Sequence, residues 1–437
     1  MSSCLKTTFC GLELKNPVIA SSGSLTGDAK RIKKCVDAGV GAVIVKTVAW
    51  TRNQAVYANP RYYVMYPENV DKGTFYSFYV LGEWASEYFP EEWLEILKEV
   101  RPYVTEHEAK LIVSIMGESE NKATEFIRMF DEVADAFELN LGCPYGGEIA
   151  TKGGVLISQD PELVREFSRI CRQATDRPII AKISAEGGDL VKMSKIIEEE
   201  GINGITLTHR FSALEIDIES GKPILNMGFA GYGGPWAAPI SRKWVANVAL
   251  ATKLDICGGS GIDGWRDGIA HLMCGAKAIQ MCTAPLLRGY QEYARTIQGM
   301  EEWLNSHEYK SVEEIIGISL KHIIPMPSIP RKDQMQAIAQ ITSEKCTGCG
   351  TCTEICPYDA SYLVQGEVVI VEENCQGCGL CAQMCPEQAV TILVKGKNIQ
   401  IPTSWPGARG RIEETRRRRE KVLGGSMDQI WKEMNLI

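Results

Sequence analysis

No apolar run in this chain reaches the about 18 residues that a membrane-spanning helix requires, so no membrane partner is expected. Positive charge is not in excess either. Lys and Arg total 47 against 55 Asp and Glu, a net charge of −8, which argues against nucleic acid or an anionic membrane as the main partner. The stretch Met1–Pro17 lacks the charged-then-apolar layout of a secretion signal, so a cytoplasmic setting is expected. No Gly-x-Gly-x-x-Gly follows the first β-rich run, which counts against an open dinucleotide-binding sheet, and no nicotinamide site is recognisable.

Cysteine, by contrast, is abundant: there are 16 in 437 residues. Without an export signal these are not expected to form disulfides. Eight are scattered, at positions 4, 10, 35, 143, 171, 257, 274 and 282, and a scattered intracellular cysteine usually behaves as a small buried apolar side chain. The other eight lie in one short stretch near the C-terminus. The implied setting is the reducing cytoplasm of an anaerobe.

The length exceeds one ordinary core and implies two domains. Short apolar runs at Pro17–Ser21, Ala42–Thr47, Leu111–Met116, Phe137–Leu141, Ile179–Ile183, Gly204–Thr208, Leu254–Cys257 and Ala278–Cys282 read as strands buried on both faces. Amphipathic stretches such as Glu91–Val100, Asn121–Ala134, Pro161–Ala174 and Asp189–Glu200 read as the helices between them. Eight strands, each followed by a helix, predict an α/β fold, a (β/α)8 barrel over residues 1–320. A proline-bearing linker follows at 321–340, then a small α+β cluster domain at 341–396, and a partly helical tail at 397–437. The aromatic segment Tyr57–Tyr88 breaks the alternation. It reads either as a lid or substrate wall, or as a packed surface excursion.

Within the cysteine-rich stretch, Cys346-x-x-Cys349-x-x-Cys352-x-x-x-Cys356-Pro357 recurs as Cys375-x-x-Cys378-x-x-Cys381-x-x-x-Cys385-Pro386. Zinc sites use four ligands in two pairs, whereas this is a doubled four-cysteine run ending in proline. In such runs three close cysteines wrap one [4Fe–4S] cluster and the fourth ligates the other. One cluster is therefore expected on Cys346, Cys349, Cys352 and Cys385, and its neighbour on Cys375, Cys378, Cys381 and Cys356. A pair of one-electron centres needs a two-electron converter, and flavin is the usual one. Lys46-Thr47 and Lys182 end the second and fifth strands, where cofactor contacts belong. Gly231–Gly234, Gly258–Gly261 and Cys282-Thr283 fall late in the barrel, where backbone N–H groups often hold a phosphate.

At Asn140-Leu141-Gly142-Cys143-Pro144 the chain resembles the Asn-Leu-Ser-Cys-Pro of the class 1 dihydroorotate dehydrogenases and of dihydropyrimidine dehydrogenase. The likeness extends to Ala20-Ser21, Lys46-Thr47, Ser114-Ile115-Met116, Gln159–Val164, Ala181-Lys182, Tyr232-Gly233-Gly234 and Gln280-Met281-Cys282. With the cluster module included, it is similar to the bacterial dihydropyrimidine dehydrogenase catalytic subunits along about residues 5–395. This resemblance implies FMN, held by Ala20, Ser21, Lys46, Thr47, Lys182, Gly233, Gly234, Gly259, Gly261, Cys282 and Thr283. It implies Cys143 as the acid or base opposite the flavin, and Asn140 as a substrate contact. It also implies an electron partner, either ferredoxin or a separate NAD(P)H–flavin subunit, and an oligomeric state.

The departures carry the specificity reading. The pyrimidine enzymes have Asn-Thr after strand six, and this chain has His209-Arg210; where they have His after Cys-Pro, it has Tyr145. Guanidinium in place of an amide reader favours a carboxylate. A small-molecule substrate that is anionic and unsaturated is therefore expected in place of uracil or thymine, contacted by Asn140, Tyr145, His209 and Arg210. Alternatives are an Arg210 that turns onto Glu118 or Glu120, a plain dihydropyrimidine or dihydroorotate dehydrogenase, and an electron-transfer subunit whose barrel has lost its chemistry.

Overall fold

The computed structural model describes residues 3–48, 61–65, 76–80, 85–116, 120–143, 155–186, 188–225, 228–328, 337–394 and 396–399. The chain divides after Ile323 into two compact units. The first is a closed barrel of eight parallel strands: β1 (Val18–Ala20), β2 (Ala42–Ile44), β3 (Lys110–Met116), β4 (Ala136–Asn140), β5 (Ile179–Ile183), β6 (Gly204–Leu207), β7 (Asp255–Gly258) and β8 (Ala278–Met281). The main surrounding helices are α1 (Ala29–Asp37), α2 (Pro90–Glu106), α3 (Glu120–Phe130), α4 (Pro161–Gln173), α5 (Leu190–Glu199), α6 (Ala238–Ala251), α7 (Trp265–Met273) and α8 (Gln291–Ser306). Local signals start several of them. Asp160 caps α4 through the amides of Glu162 and Leu163, with Pro161 at the first position, and Asp189 caps α5 in the same way.

Two apolar layers hold the barrel. The outer one lies between strands and helices and includes Val43, Val113, Leu139, Ile183, Phe126, Phe167 and Leu272. The inner one fills the N-terminal end of the lumen with Ile19, Ala42, Ile44, Ile112, Ala136, Ile180 and Ala278. A hairpin of Thr7–Phe9 and Leu12–Leu14 plugs that end by adding Phe9 and Leu14 to the same cluster. Its turn residues, Cys10 and Gly11, both take positive φ (51° and 76°), as a two-residue hairpin requires. Glycine is needed at the start of β6, since a Cβ on Gly204 would lie 2.4 Å from Cys10 Sγ. With the bottom closed, usable space is left at the C-terminal end of the strands.

A second sheet covers part of that end. Its four antiparallel strands run in the order Phe211–Ala213, Ala230–Gly233, Ser77–Val80, Tyr62–Met65. Two come from the aromatic segment after β2 and two from the connection after β6. One face packs Phe78 and Val80 against Leu286, and the other packs Tyr79 on Tyr232 in a tilted pair with ring centroids 4.7 Å apart. Tyr76 donates to Asp263 Oδ1 (2.7 Å), tying the sheet to the connection after β7.

The second unit pairs Ala337–Ile341 with Val390–Val394 and Lys397–Ile399, beside a hairpin of Ser361–Val364 and Glu367–Ile370. Short helices Thr351–Glu354 and Leu380–Met384 each begin after a glycine in the left-handed region, Gly350 and Gly379. Among the described residues no helix is long and apolar enough to cross a membrane.

Candidate active site and cluster sites

A cavity opens at the C-terminal end of the barrel strands, with about 1130 Å³ of empty space including the part open to solvent. Successive strand ends supply its walls: Ser21 after β1, Lys46 and Thr47 after β2, and Asn140 and Cys143 from β4 and its loop. Lys182 comes from β5, His209 and Arg210 follow β6, Gly259 and Gly261 follow β7, and Cys282 and Thr283 follow β8. Gly233, Gly234, Phe78 and Val80 come from the covering sheet. The aromatic segment thus contributes a wall. Gly233 and Gly234 lie in the connection after β6, earlier in the barrel than their expected place beside strands seven and eight.

The floor is a buried polar layer. Lys182 Nζ donates to Ser21 Oγ (3.1 Å) and Gln280 Oε1 (2.7 Å), and Ser21 Oγ also donates to Gln280 Oε1 (3.0 Å). Gln280 Nε2 donates to Glu138 Oε2 (2.6 Å) and Thr206 Oγ1 (3.0 Å), and Thr206 donates to the same carboxylate oxygen (3.2 Å). Lys182 Nζ stands 3.5 Å from Glu138 Oε1. Glu138 is fully buried at the centre of a strand otherwise read as apolar. Thr206 and Glu138 were absent from the sequence reading. Only the even spacing of Glu138 and Asn140, which puts both on the lumen side of β4, could have signalled the acid.

Cys143 is 1% exposed and packs against Ala85 and Met116. Asn140 Nδ2 donates to Thr47 Oγ1 (3.3 Å), which leaves its buried Oδ1 without a partner among the described residues. His209 and Arg210 face the same cavity. Burial, then the nearby cations Arg210 and Lys182, lower the His209 pKa well below the ordinary imidazole value, so its ring is neutral near pH 7. Two glycines make room for this pair. A Cβ on Gly142 would lie 2.8 Å from His209 Cβ, and one on Gly231 would lie 2.6 Å from Arg210 Cδ and Nε. Gly142 is the position where the resembling enzymes carry serine, so the two departures from their pattern meet in space.

At the other end of the cavity the backbone is bare. Gly261 has φ +84° and a Cβ there would fall 2.2 Å from Ala238 N; Gly234 has φ +131° and its Cβ would fall 2.3 Å from the Tyr76 carbonyl oxygen. Neither position tolerates a side chain, and Ser260, Cys282 and Thr283 complete the rim. A glycine-lined end facing a floor with two lysines and an unpartnered amide oxygen suits FMN, phosphate at the first and ring edge at the second. Ala20 is the exception among the expected cofactor contacts. It is fully buried in the outer core and does not line the cavity, because it points to the opposite face of β1 from Ser21. Tyr145 and Glu118 fall outside the described residues, as do most of 57–88 and the tail beyond 399.

In the second unit, Cys346, Cys349, Cys352 and Cys385 rim one recess of about 330 Å³. The fourth cysteine of the second run thus meets the first three of the first run. Four thiols around one recess, three from one run and the fourth from the other, are the ligand set a [4Fe–4S] cluster takes. The fourth cysteines of the two runs are held alike. Cys356 Sγ accepts from the amide of Ala360 (3.4 Å), as Cys385 Sγ accepts from Ala389 (3.2 Å). Burial pushes the Cys381 thiol up to about 11, so iron must displace protons as it binds. The loop between Cys346 and Cys349 turns at Gly348 (φ +67°), where a Cβ would meet the Gly366 carbonyl oxygen at 2.4 Å.

Comparison with known proteins agrees with this geometry. Residues 4–304 match the dihydroorotate dehydrogenase family and residues 338–386 match the 4Fe-4S dicluster domain. The "Dihydroorotate dehydrogenase B (NAD(+)), catalytic subunit" of Pyrococcus abyssi is 32% identical over 319 residues, covering 72% of this chain and 99% of the relative. The Methanothermobacter thermautotrophicus protein of the same name is 30% identical over 317 residues, covering 72% and 98%. The "NAD-dependent dihydropyrimidine dehydrogenase subunit PreA" of Escherichia coli K12 is 29% identical over 367 residues, covering 82% of this chain and 86% of the relative. The chain therefore belongs to the dihydroorotate dehydrogenase family, as an FMN-dependent oxidoreductase of CH–CH groups that also carries a two-[4Fe–4S] domain.

Proposed function

We propose that this enzyme reduces an activated C=C bond of an anionic, carboxylate-bearing substrate, or oxidises the saturated product, with Cys143 moving the proton. The carrying observation is the meeting of Cys143, Asn140, His209 and Arg210 in one cavity above Lys46 and Lys182. FMN, when bound, supplies hydride exchange with the substrate carbon. Cys143 delivers a proton to the adjacent carbon, or removes it in the reverse direction; a thiol suits this because its pKa can be brought near neutrality. Asn140 presents its free amide oxygen to a substrate N–H or O–H. Arg210 pairs with the carboxylate, and a neutral His209 beside it adds a hydrogen bond without a second charge. A guanidinium in this place favours a carboxylate over the neutral amide edge of uracil.

The clusters pass electrons singly between the barrel and a partner, either ferredoxin or a separate NAD(P)H–flavin subunit. The NAD in the relatives' names supports the second. Dihydroorotate oxidation is the second reading, favoured by the 32% identity to the Pyrococcus protein and by the carboxylate of that substrate. A pure electron-transfer role is disfavoured by the presence of Cys143, Asn140, Lys46 and Lys182 together in the cavity lining.

Replacing Cys143 with alanine tests the proton role. Turnover is expected to fall about 10²- to 10⁴-fold while bound FMN and iron content stay at wild-type levels. Unchanged turnover removes Cys143 from the mechanism.

A further inference from the structure

We infer that Glu138 is a positioning residue that sets the electrostatic field under the flavin by pairing with Lys182. Nothing in the proton chemistry uses this carboxylate, yet it is fully buried and lines the cofactor cavity. A buried acid without compensation is costly, so its surroundings are informative. Lys182, Gln280 and Thr206 surround it, and Oε1 makes no hydrogen bond among the described residues. Oε2 takes the Gln280 amide N–H and the Thr206 hydroxyl, and Oε1 stands 3.5 Å from the Lys182 ammonium. The Gln280 amide cannot be turned round to offer an acceptor instead, because its oxygen already takes Lys182 and Ser21. Gln280 and Lys182 therefore present only N–H donors to it, as a carboxylate requires.

Two further groups feel the charges. The buried Cys257 thiol is raised by burial and then by Glu138, and His209 is lowered by burial, Arg210 and Lys182. The layer is a charge pair with Gln280 as the spacer that fixes both ends. Lys182 alone would place an uncompensated cation below the cofactor and favour its reduced, more negative form. Glu138 offsets that cation and holds the potential down, while the same contacts fix the lysine rotamer.

The test is the FMN midpoint potential, measured anaerobically on the loaded full chain. Glu138→Gln is expected to shift it upward; a tenfold gain in preference for the reduced cofactor corresponds to about 30 mV for a two-electron couple. Thr206→Val removes one hydrogen bond to the same carboxylate without changing charge, and is expected to leave the potential at the wild-type value. Lys182→Gln is expected to lower it, and adding Glu138→Gln to Lys182→Gln is expected to raise it again. If Glu138→Gln alone does not retain FMN, that last comparison carries the test. A potential unmoved by Glu138→Gln in either background, or moved equally by Thr206→Val, overturns the inference.

Discussion

Arg210 lies along Gly231 of the covering sheet, close enough that a single added carbon would collide with its side chain. This gives a way to move the guanidinium without deleting its charge. Gly231→Ala is expected to raise KM for a carboxylate substrate about 10- to 100-fold, the loss of one charge-assisted hydrogen bond, with a smaller change in kcat. Steady-state kinetics beside Arg210→Gln checks it; a KM unaffected by both substitutions would detach Arg210 from the substrate. Residues of this kind are only half legible in the sequence. Cys143, Asn140 and the two lysines stand in recognisable short motifs at strand ends. Glu138 stands inside an apolar run, and only the assembled barrel brings Gln280, Thr206 and Lys182 around it.

The barrel strands were readable because each is a short, almost wholly apolar run, as burial on both faces demands. The covering sheet was not. Ser77–Val80 pairs with Ala230–Gly233 across most of the barrel sequence, and no local pattern encodes a pairing so remote. The same limit misplaced Gly233 and Gly234. Elements behind the site also matter. His271 of α7 is fully buried; its Nδ1 donates to the Asp267 carbonyl oxygen (2.7 Å), and its Nε2 lies 3.1 Å from Ser241 Oγ of α6. Its ring packs against Gly258 at the end of β7, where a Cβ would come within 2.8 Å of it. Burial lowers its pKa from 6.5 to about 4. The unfolded chain therefore binds a proton that the folded barrel refuses, and stability is lost as pH falls from about 6.5 to about 4, by about 3 kcal/mol at most. Urea unfolding midpoints at the two ends of that window are expected to converge in His271→Gln relative to wild type. An equal acid sensitivity in both would assign the loss to other groups.

At the scale of the whole molecule, a two-electron barrel is joined to a module of one-electron centres. The doubled motif was legible because four thiolates at fixed spacing have few other uses, and the recess lined by Cys346, Cys349, Cys352 and Cys385 assembles across both runs. Cys385→Ser is therefore expected to damage the same cluster as Cys346→Ser, leaving about half the iron and one set of reduced-cluster signals in electron paramagnetic resonance. Loss of different clusters in the two variants would refute the crossed ligation. Substrate identity is the larger question, and it tests the proposed chemistry most directly. The loaded enzyme, reduced anaerobically, is mixed with uracil, thymine, orotate and acyclic unsaturated carboxylates, and flavin reoxidation is followed by absorbance. Reoxidation by a carboxylate-bearing compound, lost in Cys143→Ala and weakened in Arg210→Gln, is the expected result. Rapid reoxidation by uracil with none by any carboxylate would contradict it.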